Sequence, residues 1–195
     1  YSSTEIEDTA PIEGWMQGPF HALGIIDPRL ERVGYGTYRE AIGRWHMGAA
    51  LDVLQGLDWN LGASSIYPVL WPAEGTTTPL SAYTGSETPD PLIACPDYSA
   101  PSGLPILMQL GTGRVVPNVT DHSFRQGDTE LAHCVYDETS YTNPDGSAQV
   151  LGRNVLAMRN AVVLIPRDPL TPGEEYTASI TANGQTYTWS FAVSP

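Results

Sequence analysis

The stretch Tyr176–Val193, YTASITANGQTYTWSFAV, decides the fold class. Tyr176, Ala178, Ile180 and Ala182 alternate with polar residues, Asn183-Gly184 supplies a two-residue turn, and Tyr187, Trp189, Phe191 and Val193 alternate back. Period-2 alternation on both sides of an Asn-Gly pair is the signature of a β-hairpin with one buried face. Tyr176, Trp189 and Phe191 are therefore expected in a core. Working outward, short apolar segments divided by Pro- and Gly-rich loops read as further strands: Ile66–Trp71, Leu80–Tyr83, Pro105–Leu110, Thr129–Tyr136 and Ala161–Ile165. Short strands at this spacing predict a β-sandwich. Pro89 to Gly103 is too rich in Pro, Ser and Asp for regular structure and reads as an ordered loop tied down at Cys95.

The first third reads differently. Asp8 or Thr9 can cap a helix, Pro11 suits its first turn, and Gly18-Pro19 ends it after Met16. Pro19 to Ile26 is a turn with a short helix. Arg32–Tyr38 and Gly43–Leu54 follow as strands, the second with Trp45, Met47, Ala49, Leu51 and Val53 on one face. A helix packed on an antiparallel hairpin results, and Gly56 to Ser65 forms the junction with the β-rich remainder.

Two resemblances sharpen this. Trp15-Met16, Pro19-Phe20-His21, Ile25-Ile26-Asp27-Pro28 and Val33-Gly34-Tyr35-Gly36, in gap-free register, resemble the CAP superfamily of cysteine-rich secretory, venom antigen 5 and plant pathogenesis-related proteins. The resemblance covers the first 55 to 60 residues. The run Leu170-Thr171-Pro172-Gly173-Glu174-Glu175-Tyr176 and the closing Trp189-Ser190-Phe191 resemble bacterial Ig-like and fibronectin-III-like domains, where Pro-Gly makes a corner and the Tyr hydroxyl bonds back to backbone. Together they imply an α+β CAP-like segment over residues 1–60 and an all-β Ig-like sandwich over 61–195, mainly β overall. The early helices that usually cover a CAP sheet would precede Tyr1, so the natural product is expected to be longer or to rely on a partner.

Composition narrows the partners. The chain has 195 residues, 22 Asp and Glu against 9 basic residues, a net charge of −13, and no Lys; every basic residue is Arg. A phosphate backbone or an anionic membrane surface is repelled. Lysine chemistry is absent beyond the terminal amine. No apolar run approaches the roughly 20 residues a membrane span needs. Cys95 and Cys134, far apart in sequence, suit one disulfide in an oxidising compartment, the competing reading being two buried free thiols. A secreted or cell-surface location follows from the disulfide reading.

Few residues offer chemistry. Metal-binding CAP domains converge two His and two acidic residues on one cation. His21 matches one family His by position, whereas the other His and the family's Glu would lie before Tyr1. Glu5, Glu7 and Glu13 are nearby carboxylates, and His21 with Glu13 is the candidate metal pair. The favoured reading of His21 is a structural residue that fixes the turn by hydrogen bonding, with Trp15 structural at the end of the helix. His46, His122 and His133 lack H-x-H or H-E-x-x-H spacing. Asp137, Glu138, Asn143 and Asp145 match a calcium loop only in part. Asn118-Val119-Thr120 is a formal glycosylation sequon read as a loop. No G-x-S-x-G, P-loop or dinucleotide fingerprint is present. The leading expectation is a non-catalytic extracellular bacterial binding, adhesion or structural protein without cofactor, meeting a protein partner, itself or a cell-surface ligand. The alternatives are a metal-dependent or hydrolytic enzyme using His21, and a subunit of an extracellular assembly or filament.

Overall fold

The computed structural model describes residues 2–3, 7–61 and 66–195. Strand makes up 37% and helix 17%, so the protein is mainly β. After β1 (Ser2–Ser3) come α1 (Ala10–Gln17) and α2 (Pro19–Ile25), then β2 (Gly34–Ile42) and β3 (Trp45–Asp52). Next are β4 (Val69–Trp71), β5 (Thr77–Thr78), β6 (Ala82–Tyr83), β7 (Ser102–Gly103), β8 (Ile106–Gln109), β9 (Val119–Gln126), β10 (Thr129–Glu130) and β11 (His133–Tyr136). The chain closes with α3 (Gly146–Ala157), β12 (Ala161–Pro166), β13 (Glu175–Ala182) and β14 (Gln185–Val193). Glu5 falls outside the described residues.

The Asn-Gly hairpin is β13 and β14, paired from Glu175 with Ala192 to Ala182 with Gln185. Asn183 and Gly184 both take positive φ, 52° and 80°, as a tight two-residue turn requires. This hairpin lies in a five-stranded sheet of order β10-β9-β13-β14-β5, facing a four-stranded sheet of order β11-β12-β8-β4. Between them Ile106, Met108, Val162 and Leu164 meet Phe124, Tyr176, Ala178, Ile180, Trp189 and Phe191 in one apolar core. The Tyr176 ring lies parallel to Phe124 at 5.5 Å, and its hydroxyl accepts the Thr171 N–H at 2.7 Å, closing the Pro172-Gly173 corner. The Trp189 indole N–H donates to the Pro72 carbonyl at 3.1 Å.

The four-stranded sheet is buried on both faces. Its other side carries Leu107, Ala161, Val163 and Ile165, which pack with Met16, Phe20, Ala22 and Leu23 of the N-terminal helices and with Tyr83, Leu92, Tyr136, Tyr141 and Leu156. That is why β12 reads AVVLIP, six buried residues in a row, instead of alternating. The N-terminal helices thus share one core with β8 and β12. Cys95 and Cys134 form a disulfide, Cα atoms 5.7 Å apart, tying the Pro-rich loop to β11.

The hairpin itself is thinly covered. Of the face expected from alternation only Met47 is buried, while Trp45 is exposed and Ala49 and Leu51 are half-buried. It is fastened by Asp8, whose carbonyl accepts the Tyr35 hydroxyl and whose carboxylate pairs with Thr37 and Arg39. At its base Leu30 bridges to Leu57. With sheet order β1-β3-β2, strand β2 is an outer edge.

Candidate functional site

The residues with chemistry gather where α1, α2, β3 and α3 converge. Gly18 ends α1 and opens α2, accepting no side chain: a Cβ there would sit 2.7 Å from the Glu87 carboxyl carbon. Glu87, in the loop after β6, fills that space beneath the first turn of α2. Its Oε1 accepts the His21 backbone N–H and shares a hydrogen bond with His21 Nδ1, each at 2.7 Å. A carboxylate at a helix N-terminus satisfies N–H groups that the helix cannot. The side chain of Glu87 is 2% exposed and that of His21 49%. Burial pushes the Glu87 carboxyl up, and the bonds and charge from His21 and the Phe20 N–H pull it part of the way back. Its second oxygen has no hydrogen-bond partner among the described residues.

His21 is therefore held by Glu87 and not by Glu13. Glu13 lies exposed in the first turn of α1, and no hydrogen bond or ion pair joins it to His21. Glu87 escaped the sequence reading because Gly85-Ser86-Glu87-Thr88-Pro89 has no periodicity and lies 66 residues from His21. Among the described residues no three His, Cys, Asp or Glu side chains group as metal ligands would.

A buried charge cluster lies at the end of α2. The Arg29 guanidinium grips Asp27 by Nε to Oδ1 at 2.9 Å and Nη2 to Oδ2 at 2.7 Å, and the Arg29 backbone N–H adds a third bond. Trp59 covers Arg29, 5.2 Å from ring centre to guanidinium. Arg159, just past α3, brings its Nε within 3.1 Å of Asp27 Oδ2 but off the hydrogen-bond axis. The Asp27 carboxyl is lowered despite its burial, because Arg29 and Arg159 stabilise its charge; burial lowers the Arg159 guanidinium.

Between these groups runs a cleft of about 590 Å³. Trp15, Phe20, His21, Gly24 and Ile25 form one wall, Ala49 to Leu51, Val53 and Leu54 the second, and Val155, Met158 and Arg159 the third. Volumes of this order, mostly apolar with a few polar groups, are typical of small-molecule sites. No Ser, Thr, Cys, Asp or Glu is among these lining residues.

Most of the remaining candidates are locally satisfied, the exception being Glu138, whose Oε2 is buried with no hydrogen-bond partner among the described residues. Asp137 Oδ1 accepts the N–H and hydroxyl groups of Thr139 and Ser140, and Asp145 caps α3 through the Ser147 and Ala148 N–H groups. These are turn and cap contacts. His122 Nδ1 meets His133 Nε2 at 2.8 Å, and His133 Nδ1 meets the Leu131 carbonyl at 2.7 Å. His46 is exposed on β3. Asn118 is exposed just before β9, its N–H donating to Asn183. Among the described residues no helix is long and apolar enough to cross a membrane. No protein-family model matches the chain, and no curated protein matches it in sequence.

Proposed function

We propose that this protein is a non-catalytic extracellular bacterial binding module, a CAP-like helix and hairpin segment packed on an Ig-like sandwich, whose ligand occupies the cleft between α2, β3 and α3. The observation that carries this reading is the cleft's lining: an apolar enclosure beside a fixed imidazole and a guanidinium, with no nucleophile in its walls. Nucleophilic catalysis needs the attacking group within hydrogen-bond reach of its base. Glu87 is engaged in capping α2, which makes His21 a residue that fixes the turn. The disulfide supports a location outside the reducing cytoplasm.

Titration with the neutral fluorescent dye N-phenyl-1-naphthylamine tests the reading. Saturable binding near one equivalent, weakened at least about tenfold by Ala49→Trp, is expected, tenfold being about 1.4 kcal/mol. Binding that ignores Ala49→Trp would move the ligand site elsewhere.

A second reading rests on the His21–Glu87 pair, since a buried carboxylate orienting an imidazole is also how hydrolases position a general base. Ester hydrolysis by the purified protein, lost on His21→Ala, would put that reading first.

A further inference from the structure

The Asp27 cluster is unbalanced. Its one carboxylate is shared by two guanidiniums, and Arg29 takes both oxygens in a bidentate grip. Arg159 is left with a single off-axis contact through Nε, although its side chain is only 5% exposed. Its Nη1 and Nη2 donate to no described residue. An ion removed from water is stable only when charge and hydrogen bonds around it are matched. Here a net positive charge is held at the wall of an apolar cleft, and a Cβ on Gly24, another lining residue, would come within 3.8 Å of Arg159 Nη2. The chain carries 22 acidic side chains, yet none of the cleft's lining residues is acidic. An anion entering there meets local positive charge in a molecule whose net charge is −13, in surroundings of low dielectric where attraction is strong.

We infer that the cleft binds an organic carboxylate carried on an apolar body, with the carboxylate received by the free fork of Arg159 and the body laid against Trp15, Leu51, Val155 and Met158. Arg suits this task because two parallel N–H groups match a carboxylate. The inference rests on the binding-module reading and adds the class of ligand and the residue that selects it.

Competition against N-phenyl-1-naphthylamine separates the two claims. The competitors are 2-naphthoate with its neutral counterpart 2-naphthalenemethanol, and decanoate with decanol, so that an aromatic and an aliphatic body are each tried with and without charge. In at least one pair the carboxylate should bind at least about tenfold more tightly than the alcohol, about 1.4 kcal/mol. Arg159→Gln should bring that ratio to near one while the neutral dye still binds. Equal binding of acid and alcohol in both pairs by the wild-type protein overturns the inference and leaves the cleft a binding site. This arm needs no variant, so it decides even if Arg159→Gln does not fold. A ratio that survives Arg159→Gln also overturns it. Failure of the dye itself to bind removes the binding-module reading and this inference together.

Discussion

Glu87 combines a side chain sealed from water with one carboxyl oxygen that has no hydrogen-bond partner among the described residues, and among them His21 is the titratable group bonded to its carboxyl. Because burial raises its pKa above the ordinary Glu value of 4.5, the folded protein holds a proton that the unfolded chain has released within that window. Stability then falls as pH rises through the window, and below it the penalty is absent. Glu87→Gln removes the titration, so the variant's stability relative to wild type should improve as pH rises above the ordinary Glu value of 4.5 and then level off once the folded carboxyl has ionised, measured in urea melts. A pH-independent difference would contradict the assignment. Trp189 presents the opposite case, a fully used side chain: Trp189→Ala should cost about 3 to 5 kcal/mol by cavity formation in denaturant unfolding. Residues of the second kind were legible in the sequence, since alternation marks them. Glu87 and Arg159 were not, because long-range pairing of a loop carboxylate or a helix-end Arg leaves no local pattern.

Among the elements, α3 shows why some were hidden. Its first residue is Gly146 and its middle holds Gly152, both poor helix formers. Gly152 is there because Tyr141 packs against the helix, and a Cβ would lie 2.6 Å from the ring. Gly152→Ala, worth roughly 1 kcal/mol in helix propensity, should therefore lower the melting temperature rather than raise it. Asp145→Ala removes the bonds to Ser147 and Ala148 and should cost about 1 kcal/mol. The Asp145 cap followed by twelve residues free of Pro was a usable signal for this helix. Strand β9 lacked one: paired with Ala178 and Ile180 it carries buried Phe124 and exposed His122, so the apolar alternation breaks off after one residue. The Asn-Gly hairpin and α1 were legible because their cues lie within a few residues of one another.

In the whole molecule, one doubly buried sheet joins two cores, so neither can unfold alone without exposing β8 and β12. Phe20→Ala in one core and Phe124→Ala in the other should shift the same single urea transition, and two separable transitions would refute the shared sheet. Reduction of the Cys95–Cys134 bond, which spans a sequence separation of 39, should lower stability by roughly 3 to 4 kcal/mol on loop-entropy grounds, measured as a fall in urea midpoint. The mainly β class was legible from strand spacing, whereas the packing of the helices into the sandwich was not, because the contacts join residues 60 to 140 positions apart. The outer strand β2 has a consequence of a different kind. Nine residues long and bearing exposed Tyr35 and Tyr38, it offers a row of backbone donors and acceptors to any other extended chain. Arg39 and Glu40 in that strand are the charges that discourage such pairing. Glu40→Val should therefore leave the urea midpoint almost unchanged yet speed the growth of thioflavin-positive aggregates on prolonged agitation, so that the molecule's resistance to fibril formation depends on a strand its folding stability scarcely feels.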